Sequence, residues 1–397
     1  MKKKIMFIGA GPYQLPGTKR AKEMGLFVIA VDRNPNAPGF KLANIHVALD
    51  VKDVKGCLRV AKENGIDGVL TIASDIAVPT VAAVAKELKL PGISPEVAQI
   101  ATNKALMRKR FAERGLPSPK FRIAVNLVEA QAAIKILGLP VVIKPTDNAG
   151  SRGVSTIEHP DEIEKAFDHA IKNSREGILV IEEFMDGIEC TIEAMTYNRR
   201  TEILAISQKK KPDGFYRVAT DLTYPPDFPE KTISDIETVM KQTIEAMGID
   251  MGPTHSEVIV TKDGPKLVEV AARGGGFDIF SKIIPLASGV DAITESIKIS
   301  IGIAPDITPK YRKGVVLRFF APPPGILKRI DGLDEVRSIK NAEVGFFKNI
   351  GDIVPVLATD GDRTGYIIAW GDTREIAVQT ADLIEEKVEF ETEAAGE

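Results

Sequence analysis

Cysteine is nearly absent: the 397 residues hold only Cys57 and Cys190, without CxxC spacing and too few for a ladder of bridges. A disulfide framework and a cysteine-based zinc site are thereby excluded as organising features, and a reducing, cytoplasmic setting is expected. A charge excess is lacking too. The formal net charge is -3, with acidic and basic residues mixed along the chain, which argues against a nucleic-acid or polyanion surface. No apolar run is long enough to span a membrane. The opening MKKKIMFIGAG is basic and then apolar, but the apolar run is short and enters a glycine turn, unlike a secretory leader. Nor is there a GxxxxGK[ST] motif, so a Walker-type phosphate site is excluded on spacing. Internal repeats and low-complexity tracts are missing as well. With 44% hydrophobic residues, the chain can bury a large core divided into two or three subdomains.

The order of elements is informative. An apolar run at Lys4–Ala10 ends in glycine, and a helix-like stretch leads to a second run at Leu26–Val31 followed by Asp32. Helical periodicity at Val54–Asn64 and Val78–Leu88 brackets the run Gly68–Ile72. This alternation predicts a parallel, doubly wound α/β sheet over roughly the first hundred residues. A helical segment Ser94–Arg114 follows, and Pro117 and Pro119 mark a hinge. Beyond it, Val141–Pro145, Gly153–Ile157 and Ile178–Phe184 read as strands of a small α+β unit. Clearer alternation at Glu189–Met195, Glu202–Ser207, His255–Val260 and Lys266–Val270 predicts a mainly antiparallel sheet. From about Gly314, short strands, the turn APPPG and a final helix predict a C-terminal subdomain.

Several residue groups point to phosphate chemistry. Lys104, Lys144 and the loop Asn148–Gly153, with Gly150, Ser151, Arg152 and Gly153, suit a phosphate clamp of exposed backbone N–H groups flanked by two point charges. The alternative is a plain turn with solvated lysines. The segment VIEEFMDGIE ends an apolar strand in Glu182 and Glu183 and resumes at Glu189. It reads either as an adenine hinge, with Glu182 accepting from the base and Glu189 from the ribose, or as an acidic strand end. Glu257 and Glu269 fall on neighbouring strands within apolar runs, where an unpaired carboxylate is costly, so a hard cation such as Mg²⁺ is expected unless both face solvent. Arg273, leading into Gly274–Gly276, can reach a transferring phosphoryl group or an oxyanion. His255 reads equally as lining an amine pocket or as a satisfied core histidine. Lys209, Lys210 and Lys211 either reach phosphates or are solvated, and solvation is the favoured reading. The turn GAGPYQ with Asp32 downstream has Gln14 where a third dinucleotide-site glycine would stand, so it reads as a structural turn or second-substrate pocket ahead of a nicotinamide site.

In this order and at these separations, the residues resemble the ATP-grasp superfamily of carboxylate–amine ligases over nearly the whole chain. THSEV, EVAARGGG and APPPG…GYIIAWGDT look most like the bacterial L-amino acid ligase branch. The resemblance implies a pre-ATP-grasp domain at 1–98, an ATP-grasp domain at 99–312 with a hinged lid at about 119–186, and a C-terminal α+β subdomain at 313–397. It implies ATP and Mg²⁺, with Mn²⁺ as an alternative. Lys104 and Lys144 would hold phosphates, Glu182 and Met185 the adenine, Glu189 the ribose, Glu257 and Glu269 the metal, and Arg273 the reacting acyl phosphate. Small carboxylate and amine substrates, amino acids above all, and a possible homodimer follow. Ala271 departs from the pattern, since many members carry asparagine there, which loosens the expectation of a second metal. Within the resemblance, a purine-pathway or carboxyphosphate-forming enzyme and a non-catalytic ATP-binding protein stand as alternatives. Substrate choice is expected to depend on the stretches Gln208–Tyr224 and Pro322–Gly325.

Overall fold

The computed structural model describes residues 2–212 and 218–394, so part of the Gln208–Tyr224 stretch lies outside the described residues. At the N-terminus, four parallel strands stand in the order Ile45–Ala48, Phe27–Asp32, Lys4–Ile8, Gly68–Leu70. Ile5 to Ile8 and Val28 to Val31 are fully buried, as expected of parallel strands covered on both faces by the helices Leu15–Glu23, Val54–Asn64 and Val78–Leu88.

The expected single helix Ser94–Arg114 is two helices, Pro95–Thr102 and Lys104–Glu113. Asn103 divides them: its backbone is extended, and its side-chain oxygen accepts from the N–H groups of Ala105 and Leu106 at 3.0 and 3.1 Å. The break fixes Lys104 at the first position of a new helix, where its own N–H donates to Thr146 O.

Two antiparallel sheets follow. The first has the order Phe121–Ala124, Leu179–Glu183, Val141–Pro145, Ser155–Ile157 and packs on the helices Leu127–Leu137 and Ile163–Lys172. The second has the order Arg200–Ile206, Ile188–Tyr197, Gly252–Thr261, Gly264–Ala271. Cys190, Ile192 and Ala194 pack in one cluster with Ile236, Met240 and Ile244 of the long helix Glu230–Met247. Side chains alternate across a strand, so Glu189, Thr191 and Glu193 face the opposite side.

The C-terminal five-stranded sheet has the order Gln208–Lys210, Asp221–Tyr224, Gly314–Phe320, Gly365–Gly371, Ala342–Phe346. It therefore takes two of its strands from well before residue 313. A three-stranded sheet of Ile353–Val354, Gly325–Asp331 and Glu389–Glu393 completes this end. The architecture is a parallel α/β unit followed by antiparallel α+β sheets. Among the described residues, no helix is long and apolar enough to cross a membrane.

Candidate active site

Glu257 and Glu269 are direct partners across adjacent antiparallel strands, and the register slips by one residue immediately after Glu257. A bulge at such a point re-aims the side chains beside it. Like charges placed directly opposite each other repel, so the pair needs cations. Lys104 reaches Glu269 at 2.9 Å, and Lys209 forms ion pairs with both Glu257 and Glu189. Lys211 adds a bond of 2.5 Å to the second oxygen of Glu189. Burial alone would raise Glu257, but Lys209 and Lys211 hold its carboxyl well below the usual range, and the same contacts raise Lys209 against its own burial. The favoured expectation for the lysines is corrected here for two of the three. Lys210 is exposed, whereas the Lys209 side chain is only 8% exposed and Lys211 is half-buried. The strand pairing Gln208–Lys210 with Asp221–Tyr224 turns alternate residues inward, which a run of three lysines could not reveal.

On the neighbouring wall, Glu182 receives two cations. Arg108 Nε donates to one oxygen at 2.6 Å, and Lys144 Nζ bonds the other at 2.8 Å. Desolvation opposes the ionised form, but Arg108 and Lys144 overcome it and bring the Glu182 carboxyl down to about 2. Lys144 is lowered, first by burial and then by the positive charges of Arg108 and Lys104. Glu182 thus holds one cation on each of its oxygens. Glu183 and Met185, at and beyond the strand end, are half-buried beside the crossing to Ile188. Gly187 makes that crossing possible, because a Cβ there would lie 2.2 Å from Val260 O.

The glycine loop is held at its base. Asp147 accepts from the N–H groups of Arg175 and Glu176, and Asn148 Nδ2 donates to Asn173 O. Gly150, Ser151 and Gly153 all have positive φ, and Lys104 Nζ donates to Asn148 O at 2.8 Å. Gly150 and Arg152 form the exposed tip, while Gly153 is buried against Pro145 and Asn173.

Arg273 bonds bidentately to Asp75 at 3.0 and 2.8 Å, joining the central sheet to the C-terminal edge of the parallel sheet. Burial favours neutral Asp75, yet Arg273, with Lys104 and His255 nearby, lowers its carboxyl. His255 Nδ1 lies 2.5 Å from Glu193 Oε1, in the rung that also contains Ala271. Lys104, Lys144, Glu182, Glu189, Glu257, Glu269, Arg273 and His255 are thus joined by ion pairs, strand register and electrostatic proximity into one cluster. The first turn is closed by its own side chains: Gln14 accepts from Ile72 N–H at 2.8 Å and Asp32 from Ala10 N–H at 2.8 Å. A dinucleotide site is not what these groups are arranged for. Cys190 lies behind the sheet, its thiol pushed up to about 12 by burial, which leaves no thiolate for nucleophilic chemistry.

Comparison with known proteins gives two domain matches. The ATP-grasp domain matches residues 137–280, and L-amino acid ligase C-terminal domain 2 matches residues 318–393. The chain therefore carries an ATP-grasp domain and, after it, an L-amino acid ligase C-terminal domain 2. An uncharacterized protein of Sinorhizobium fredii is 30% identical over 294 residues, covering 72% of this chain and 60% of that protein. The chain therefore spans less than two thirds of that relative's length. A formate-dependent phosphoribosylglycinamide formyltransferase of Flavobacterium psychrophilum is 26% identical over 281 residues, covering 68% of this chain and 70% of that protein. In fold, the chain is similar to an L-amino acid ligase from Bacillus licheniformis, with a TM-score of 0.84, 22% identity and 99% of each chain covered. In this ATP-grasp chain, Arg108, Asp75 and Glu193 are the residues of the site that sequence reasoning passed over, whereas Lys209 and Lys211 were read as solvated. Only Arg108 carried a usable signal: it lies four residues after Lys104 on one helix, hence on the same face.

Proposed function

We propose that this ATP-grasp chain joins the carboxylate of one amino acid to the amine of another substrate, consuming ATP and releasing ADP and phosphate. The observation that carries the reading is the register pair Glu257–Glu269, set beside Lys104, Lys209 and Arg273. Two opposed carboxylates already served by two ammonium groups are a donor set suited to a hard divalent cation. Bound there, Mg²⁺ would neutralise charge on the triphosphate.

Each side chain then has a definable task. Lys104 and Lys144 hold phosphate oxygens as point charges. Glu189 and the Glu183–Met185 connector take the nucleoside end. A substrate carboxylate oxygen attacks the γ-phosphorus, the bond to the β-phosphate oxygen breaks, and ADP leaves. The amine then attacks the acyl carbon, the carbon–oxygen bond to phosphate breaks, and the amine proton is lost to solvent or phosphate. Arg273 is placed to stabilise the negative charge that accumulates at the acyl centre, and closure of the glycine loop keeps water from the acyl phosphate. The C-terminal domain match favours amino acids as substrates.

A second reading takes formate as the carboxylate, favoured by the likeness to the formyltransferases. Purified protein with ATP and Mg²⁺ is offered pooled amino acids or formate, and ADP release is followed. Stimulation by amino acids with a condensed product supports the first reading, and stimulation by formate alone supports the second.

A further inference from the structure

Glu193 is a carboxylate beside Arg273 and His255 to which the mechanism gives no task. It is 1% exposed, and its strand faces it toward the same side as Glu189 and Thr191. Its Oε1 meets His255 Nδ1, but its Oε2 is buried with no hydrogen-bond partner among the described residues. A buried carboxylate oxygen without a donor is costly and marks a place that a donor is meant to fill. A Cβ on Gly275 would come within 2.9 Å of Glu193 Oε1, so the glycine run after Arg273 passes directly over this carboxylate. Burial works against the Arg273 guanidinium, yet Asp75, Glu269 and Glu193 together hold it above its usual range, which places Glu193 within electrostatic reach of it.

We propose that Glu193 Oε2 receives the ammonium group of the amino acid whose carboxylate faces Arg273. The inference rests on the ligase reading above and adds which substrate nitrogen is recognised. A carboxylate in a poorly hydrated site favours the charged form of an amine bound to it. Glu193 therefore keeps the donor amino acid's own nitrogen protonated and unable to attack, so the amide bond forms with the second substrate's amine. His255 fixes the carboxylate from the side away from that ammonium. Asp75 is a weaker candidate for the same task, because both of its oxygens are already held by Arg273.

The test compares each of the common L-amino acids with its 2-hydroxy-acid counterpart as the activated carboxylate, by ADP release with ATP, Mg²⁺ and the same saturating amine acceptor, one without a carboxylate, in both arms. The wild-type chain is expected to prefer the amino acid by about a hundredfold or more in kcat/KM, since a site built to bind an amine rejects the analogue lacking it. Glu193→Gln is expected to abolish that preference while leaving the affinity for a fluorescent ATP analogue unchanged. Glu193→Asp keeps the charge and is expected to keep the preference, with a higher KM for the amino acid only. Should Glu193→Gln fail to fold, Glu193→Asp decides: equal changes for both acids, or none, overturn the proposal. A wild-type-like preference in Glu193→Gln overturns it and leaves the ligase reading intact. No ADP release by wild-type protein with any amino or hydroxy acid overturns both.

Discussion

Glu257 and Glu269 face each other across two antiparallel strands, and each holds a lysine from a different part of the chain, Lys209 for one and Lys104 for the other. The lysines show how the repulsion is offset before any metal arrives. They also give the pair a measurable role in turnover. Glu269→Gln removes one of the two carboxylates proposed to hold the cation, and kcat for ADP release should fall by roughly two to three orders of magnitude, as for loss of other groups that stabilise transition-state charge. A steady-state assay across Mg²⁺ concentrations checks this, with near-normal turnover contradicting the metal assignment.

Lys209→Met withdraws the ammonium shared by Glu189 and Glu257. Two carboxylates are then left with fewer cations, and the variant should melt at a lower temperature than wild type without metal. Added Mg²⁺ should restore more of its Tm than it adds to the wild type, because binding to the native state stabilises by mass action. Equal shifts in thermal melts of the two proteins would argue against a shared cation position.

Arg108 is buried, with Nε on Glu182 and Nη2 on Val268 O at 2.7 Å. Replacing it by methionine keeps apolar bulk but leaves Glu182 with Lys144 alone. Breaking a buried pair from one side costs roughly 3 to 5 kcal/mol, so urea unfolding should show a loss of that order. A loss within a few tenths of a kcal/mol would mean that Lys144 suffices.

The same triad sets an acid limit. Glu182 titrates at about 2 in the folded chain against an ordinary value of 4.5. A depressed carboxyl contributes stability that is fully present above the unfolded value and is lost as pH falls through the folded one. Stability should thus decline between about pH 5 and pH 2, and Glu182→Gln should flatten that part of the profile while lowering stability at neutral pH. Chemical denaturation at a series of pH values reads this directly.

Much of the architecture was legible because strands and helices leave local periodic marks. Val54–Asn64 and Val78–Leu88 stand where their apolar spacing predicts, and the parallel sheet follows from buried runs such as Ile5–Ile8. The pairing of Glu257 with Glu269 was legible for a related reason, since a short Lys-Asp-Gly turn between two alternating strands leaves few registers. The split at Asn103 was hidden, because Asn reads as an ordinary helix residue until its side chain is seen capping Ala105 and Leu106. Partners brought from afar were hidden more deeply. Asp75 meets Arg273 across 198 positions and Glu193 meets His255 across 62, and no local pattern records such separations. Lys209 looked solvated for the same reason: its partners, Glu189 and Glu257, stand 20 and 48 positions away on strands of the central sheet.

Arg273→Lys separates charge from geometry. Lysine keeps the charge but cannot form the two parallel bonds that Arg273 makes with Asp75. Turnover should fall by about a hundredfold, with KM for ATP little changed. A parallel rise in the KM for ATP would instead place Arg273 at the nucleotide.

The most direct test of the central claim uses an amino acid whose carboxylate carries ¹⁸O, supplied with ATP, Mg²⁺ and an amine acceptor, followed by mass spectrometry of the released phosphate. Activation through an acyl phosphate predicts one ¹⁸O in each phosphate formed together with ADP and an amide. Unlabelled phosphate accompanying amide formation, or label recovered in AMP, would contradict it.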